Sequence, residues 1–457
     1  MRVGGVGMKR FVCLMMSMML LCTCLPVLSE DAAETVPAQV VAVLMRPEAL
    51  GALRDRMTAD MKAALPEEAF PGLWAQLEAA GGAYLGMADD ASVQDQQGYH
   101  VWTQTVLMSR INLACTVVLD GDGMIAGMNF SPAPAAPETH DDTEEAVVIG
   151  EAPWQLPGTL TLPEVADGPV PAVVLVHGSG PNDRDESVGA VKPFRDLARA
   201  LSKRGIAVLR YDKRTYVYGR EIASAEDFAA FSVEEETIQD AIAAGNLLRQ
   251  DSRIDPQRIY LLGHSLGGML APRIASESDG LFAGIILANG SNHSLLDILL
   301  RQLTDALEDM PQAQQEGYRA MLAQASESAG ALRSMTAGEA LSTAILGQSA
   351  YYYWEMAQHP TAAEYLQALA IPTLIINGGL DFQVNAREGR EGWEAALDMD
   401  APWLTCLWPE VNHLLMRPEA DASIAGTADE YNLACTVDAA VTQAMADFIL
   451  NNGGQAQ

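Results

Sequence analysis

Basic residues are scarce in this 457-residue chain: 28 Lys and Arg stand against 60 Asp and Glu, a formal charge of −32. That shortage excludes a nucleic-acid partner, because a phosphate backbone is held by clustered Lys and Arg. It also excludes charge-driven docking on anionic lipid. Cysteine is nearly absent. Of six, Cys13, Cys22 and Cys24 fall at the extreme N-terminus, which leaves Cys115, Cys406 and Cys435 for the body of the chain. Three cysteines form at most one disulfide and leave a thiol over. No CxxC or Cys/His cluster is present, so neither a metal nor an organic cofactor is expected. Beyond the N-terminus no apolar run is long enough to span a membrane.

What is present begins with an export leader over residues 1–29. Lys9 and Arg10 make a positive start, "FVCLMMSMMLLCTCLPVL" is apolar but broken at Pro26, and "VLS" before Glu30 offers a cleavage site. The expectation is an exported protein, secreted or at the cell surface. Lipidation at Cys24 is the rival: Leu21 suits a lipoprotein signal, whereas Thr23 is a poor residue to precede the modified cysteine.

Residues 30–130 read as a small α+β domain. "EALGALRDRMTADMKAAL" has the apolar spacing of one helix face, and "PEEAFPGLWAQLEAAGG" opens on Pro and acids and stops at Gly-Gly. Three strands follow, "YHVWTQTVLMS", "NLACTVVLD" and "MIAGMNF", the last two joined by a turn at "DGDG". The Pro-, Ala- and acid-rich text from Ser131 marks a linker over 131–150. Residues 151–457 then alternate strand and helix, the order of a mostly parallel sheet covered by helices on both faces. A helical stretch from 291 to 370 interrupts the alternation and predicts a cap.

Within this alternation "GHSLGG", Gly263 to Gly268, follows the strand "RIYLL" and opens the helix "MLAPRIASES". A Gly-x-Ser-x-Gly turn between strand and helix holds its serine in a sharp elbow at the carboxyl edge of the sheet, beside the N–H groups of a helix start. Ser265 is therefore the candidate nucleophile. A serine hydroxyl needs a histidine to take its proton and an acid to orient that histidine, and in this architecture they follow in the order serine, acid, histidine. Three histidines come after Ser265. His293 precedes any acid on the later strands, and His359 lies in the helical insertion. His413 follows a strand and a loop, where the base belongs. Asp381, in "PTLIINGGLDFQV", ends the preceding strand; Asp398 and Asp400 are runners-up at the wrong end of the sheet. His264 and His177 read as packing residues, and His100 and His140 as surface residues.

"VLVHGSGPNDRDES", Val174 to Ser187, ends another strand of the same sheet. Its expected contribution is main chain: the N–H groups of Ser179 and Leu266 form the oxyanion hole. Asp183, Arg184 and Asp185 either bind polar substrate groups or pin their own loop by ion pairs; the second reading is favoured, with "RYDKR", Arg210 to Arg214, as partner.

Taken together, "HGSGPNDRDES", "VKPFRDLARALSKRGIAVLRYDKRT", "GHSLGG", "GGLDFQV" and "VNHLLM" resemble the bacterial α/β-hydrolase serine esterases related to esterase D of Thermotoga, from about residue 155 to 450. The segment "TADMKAALPEEAFPGLWAQL" is similar to the small α+β domain of unknown function often fused ahead of such hydrolases. The resemblance implies an α/β-hydrolase fold with a helical cap and hydrolysis of a small-molecule carboxylic ester through an acyl-enzyme. It also implies nucleophile, acid and base at Ser265, Asp381 and His413. A peptidase or acyltransferase on this fold, or a non-catalytic binding protein on the same scaffold, are the alternatives. A prolyl-peptidase would want a propeller, which the N-terminal domain is too short to build.

Overall fold

The computed structural model describes residues 35–45, 50–66, 70–81, 84–88, 90–96, 98–108, 112–132, 143–308, 312–418, 424–433 and 435–452. The expected leader over 1–29, Cys24 and His140 lie outside them. The chain divides near residue 139 into two compact units.

The first unit opens with helices α1 (Val36–Leu44), α2 (Leu50–Asp55), α3 (Ala59–Ala64) and α4 (Phe70–Gly81). The single helix expected through "EALGALRDRMTADMKAAL" is split into α2 and α3. Between them Ile125 donates to Arg56 O and Thr58 donates to Ile125 O, so residues 56–58 are drawn into strand-like pairing. Thr58 then caps α3 by accepting from the Met61 N–H. Strands β1 (Tyr84–Met87), β2 (Ser92–Gln96), β3 (Tyr99–Met108), β4 (Leu113–Leu119) and β5 (Ile125–Pro132) make an antiparallel sheet of order β1-β3-β4-β5, with β2 also on β3. β1 and β2 are short and carry no clear alternation, and the sequence reading passed over them. At the expected turn Asp120 Oδ1 accepts the N–H groups of Asp122 and Met124. Val40, Val41, Leu44 and Leu53 pack with Val106, Cys115, Val117 and Ile125 in one core.

The second unit contains β6 (Glu144–Ile149), β7 (Leu156–Thr161), β8 (Val170–Val176), α5 (Pro193–Ser202), β9 (Ala207–Tyr211), α6 (Arg214–Val217), α7 (Gly219–Ser224), α8 (Gln239–Gln250), β10 (Ile254–His264), α9 (Leu266–Glu277) and β11 (Gly284–Ala288). It continues with α10 (Leu295–Glu308), α11 (Gln312–Ala331), α12 (Ala337–Ser342), β12 (Ala344–Ile345), β13 (Gln348–Ser349), α13 (Ala350–Gln358), α14 (Ala362–Leu369), β14 (Thr373–Ile376), α15 (Ala386–Ala396), β15 (Leu404–Leu407) and α16 (Ala439–Asn451). The sheet runs β15-β14-β11-β10-β8-β9-β7-β6, parallel from β15 to β9 and antiparallel at β7 and β6. Residues 144–149, assigned to the linker in the sequence reading, form the edge strand of this sheet. Their text is acidic because the edge is held by charge: Arg210 pairs with Glu144, and Arg253 with Glu145 at 2.8 Å.

Burial on both faces explains the apolar runs. In β8, Val174 and Val176 pack in the layer of α8, α9 and α14, while Val173 and Leu175 pack in the layer of α5 and α16. α5 repeats its apolar residues at Phe194, Leu197, Ala198 and Leu201, the period of one helix face. Helices α10 to α13 and the β12–β13 hairpin are inserted between β11 and β14 and have a small core of their own, including Leu296, Ala325, Leu332, Ile345 and Tyr353. The cap expected over 291–370 is therefore shorter than its helical text. Ala362, Ala363 and Leu366 of α14 bury in the main sheet core, so that helix belongs to the sheet layer. Among the described residues no helix is long and apolar enough to cross a membrane.

Candidate active site

Parallel strands bring the loops that follow them to one edge, so the ends of β8, β10, β14 and β15 converge there. Ser265 lies between β10 and α9 with φ 53° and ψ −115°, a conformation that strains any residue with a side chain. The turn is so tight that neighbouring positions admit only hydrogen at Cα. A Cβ on Gly263 would lie 2.1 Å from Gly267 O, and one on Gly267 would lie 2.3 Å from Val176 O. Packing of α9 against β8 thus fixes the elbow, and Leu266 is the first residue of the helix, where an N–H has no partner within the helix.

After β14 the chain turns through Gly378 and Gly379 to Asp381, which is 5% exposed. Its Oδ1 accepts the N–H groups of Gln383 and Val384 at 2.8 and 3.0 Å, and its Oδ2 stands 2.7 Å from His413 Nδ1. One carboxylate oxygen is therefore anchored by main chain and the other is left to orient the imidazole. His413, 4% exposed, follows β15; its carbonyl accepts from Asn289 Nδ2 at 2.7 Å and His264 Nε2 at 2.8 Å. Ser265, His413, Leu266 and Ser179 line one cavity of about 790 Å³, walled on its apolar side by Leu295, Ile298 and Leu299 of α10.

The other candidates are elsewhere. His293 and His359 line a second cavity, and His359 is engaged by Glu355 at 3.0 Å. Asp398 and Asp400 are exposed in the turn before β15, the opposite end of that strand. His100 pairs with Asp95 in the first unit. His177 is buried between Phe194 and Tyr211, ring centroids at 5.0 and 5.3 Å, and donates from Nε2 to Asp183 O. Burial pushes its pKa down to about 4, with Glu186 opposing and Lys213 reinforcing the shift.

His264 is more than the packing residue the sequence suggested. Burial, the largest single influence, would lower its pKa, but the Glu186 carboxylate 2.9 Å from its Nδ1, together with the His413 carbonyl and the Asp381 charge, outweighs burial and raises it. Glu186 shows the mirror effect: burial alone would raise it, and His264 holds it below the usual carboxylate range. The two atoms form a close charge contact and no aligned hydrogen bond. Glu186 also accepts the Gly178 N–H at 2.7 Å, which ties the loop after β8 to the nucleophile strand. The rest of that loop is pinned as expected. Arg184 grips Asp212 through Nε at 3.0 Å and a terminal nitrogen at 2.7 Å, and Asp185 is shared by Arg210 and Lys192. Lys213, inside the "RYDKR" expected to partner this loop, donates to Gly178 O at 2.8 Å. Its second partner Glu236, and the roles of Glu186 and Asn289, escaped the sequence reading, because each acts through a residue distant in the chain.

Among the described residues no group of His, Cys, Asp and Glu has the arrangement of a metal site. Cys115, Cys406 and Cys435 are all free thiols.

The sequence profile of the alpha/beta hydrolase family matches residues 173–429. Esterase EstD of Thermotoga maritima is 32% identical over 378 residues, covering 79% of this chain and 83% of that protein. Among solved structures, an esterase of Pyrococcus furiosus is 16% identical, with 71% of this chain and 97% of that one covered and a TM-score of 0.42. Est1E of Butyrivibrio proteoclasticus is 14% identical, with 67% and 98% covered and a TM-score of 0.41.

Proposed function

The chain belongs to the alpha/beta hydrolase family, and from that premise we propose that it is a serine carboxylesterase for short- to medium-chain acyl esters, acting through an acyl-enzyme. One observation supports this above the others. Ser265, on its strained turn, shares a cavity with His413, whose Nδ1 lies 2.7 Å from Asp381.

In this reading Ser265 Oγ attacks the ester carbonyl as His413 Nε2 takes its proton, and Asp381 stabilises the imidazolium. The N–H groups of Leu266 and Ser179 receive the developing oxyanion. His413 returns the proton to the departing alcohol. A water then attacks the acyl carbonyl with His413 again as base, and the carboxylic acid leaves. Leu295, Ile298 and Leu299 supply an apolar wall for the acyl chain. The leader over 1–29 supports export, with the mature esterase working outside the cytoplasm.

The test is hydrolysis of p-nitrophenyl butyrate by the mature protein beside Ser265→Ala, together with labelling by a fluorophosphonate. Activity and label are expected in the parent and absent in the variant. Equal hydrolysis by both proteins would overturn the assignment.

A further inference from the structure

Lys213 is a cation buried to 2% exposure inside the sheet edge. A lysine is rarely placed there without a task, because desolvating an ammonium costs several kcal/mol unless it is paired. Its Nζ makes two contacts. One is the Glu236 carboxylate at 2.9 Å; the other is Gly178 O at 2.8 Å. That carbonyl belongs to the same peptide unit as the Ser179 N–H. In a planar trans peptide the C=O and N–H point to opposite sides. A cation on the oxygen therefore fixes the direction of the N–H and draws electron density away from it, which makes the N–H a stronger donor. The preceding peptide is held by the opposite charge, with Gly178 N–H on Glu186 Oε1 at 2.7 Å. The loop also lies directly against the elbow, since a Cβ on Gly178 would stand 3.1 Å from Ser265 Cβ.

Glu236 has a further partner. It sits in a π turn, Glu234–Ile238, an irregular and less stable backbone form that turns its side chain inward at the start of α8. Its second oxygen accepts the hydroxyl of Tyr352. Tyr352 lies on α13, in the helical insertion between β11 and β14. A continuous line of charge-assisted contacts thus runs from the insertion through Glu236 and Lys213 to the Gly178–Ser179 peptide.

We propose that Lys213 is a positioning residue for the oxyanion hole, and that Tyr352 and Glu236 link its placement to the seating of the helical insertion. This rests on the reading of Ser179 N–H as an oxyanion donor. It goes beyond that reading by giving the donor a buried electrostatic support and by making the insertion part of catalysis as well as of substrate binding. When the insertion is seated, Tyr352 holds Glu236, Glu236 holds Lys213, and the peptide is polarised. When Tyr352 is withdrawn, Glu236 loses a donor and Lys213 is less firmly held on Gly178 O.

The experiment compares kcat and KM of Lys213→Met, Glu236→Gln and Tyr352→Phe on p-nitrophenyl butyrate and on its thionoester analogue, with Ser265→Ala in parallel. Sulfur accepts hydrogen bonds poorly, so a strong oxyanion hole favours the ester over the thionoester. Lys213→Met is expected to lower ester kcat by roughly tenfold or more, less than the 10²–10³ of deleting a donor outright, with little change in KM and a fall in the ester-to-thionoester ratio. Tyr352→Phe is expected to lower the ratio in the same direction by a few-fold, and to have no further effect in the Lys213→Met background. If Lys213→Met does not fold, Glu236→Gln and Tyr352→Phe decide by the same ratio. An unchanged ratio in the folded variants, while Ser265→Ala is dead, would overturn this proposal and leave the esterase reading intact. Full activity in Ser265→Ala would instead overturn the esterase reading.

Discussion

Replacing His177 by glutamine should remove a specific part of the protein's sensitivity to acid. His177 is 1% exposed and its pKa is held at about 4, against an ordinary value of 6.5. Burial is the main cause; the Lys213 ammonium adds to it, while Glu186 and Asp183 oppose it. The folded protein therefore keeps the ring neutral where the unfolded chain protonates it. A depressed histidine contributes stability that is complete above pH 6.5 and is lost as pH falls through the folded value. Between about pH 7.5 and about pH 4.5 the loss amounts to about 2.5 kcal/mol, at 1.36 kcal/mol per unit of pKa difference. Glutamine keeps a side-chain N–H for the Asp183 carbonyl, which His177 Nε2 contacts at 3.1 Å, but cannot titrate. The assay is urea unfolding of parent and His177→Gln at both pH values. Carboxylates remote from His177 contribute equally to both proteins and cancel in the difference, whereas Glu186, which acts on His177, adds a smaller coupled change. The parent should lose about 2.5 kcal/mol more than the variant. Parallel losses would refute the argument that the buried ring is neutral.

Three other substitutions test the site's construction. Ser179→Ala should retain most esterase activity, since the proposed donor is main chain; a loss of kcat comparable to that of Ser265→Ala would show that the hydroxyl takes part. Gly267→Ala sets a methyl 2.3 Å from Val176 O and 2.7 Å from His177 O. It should cost at least the upper end of the about 1–3 kcal/mol of overpacking, seen as a lowered urea midpoint or an insoluble product, and a parent-like midpoint would contradict the packing described. Arg184→Ala leaves Asp212 without its guanidinium and should lower stability by about 2 kcal/mol in thermal or urea unfolding while KM stays within a few-fold; a selective rise in KM would make Arg184 a substrate contact.

The Ser265 elbow was legible because its determinants are local. A strand, two glycines and a helix start stand within a few residues, and steric exclusion at Gly263 and Gly267 leaves no other residue possible. The meeting of Asp381 and His413 was legible from their places after successive strands, since parallel topology puts every loop of that kind at one edge. Of the electrostatic frame, only the pinning of the loop by "RYDKR" was legible. Glu186 meets His264, and Lys213 meets Glu236, only after the sheet has assembled. No periodicity marks such pairs, and apolar neighbours made His264 look like filling. Composition misled at two places. The acids of β6 resembled linker text although they bind Arg210 and Arg253, and the helical text of α14 resembled cap although its apolar face is buried on the sheet.

Arg210 decides where this chain can be cut. Its guanidinium is 2% exposed and divides its charge between Asp185, in the loop after β8, and Glu144, on the edge strand. A shortened protein beginning at residue 151 would lose Glu144 together with all of β6. The remaining chain would carry a buried cation with half of its neutralising charge, and the outer edge of β7 would be open to strand pairing with other molecules. Beginning instead before Thr143 keeps the carboxylate and the strand that covers β7, at the cost of only a few more residues.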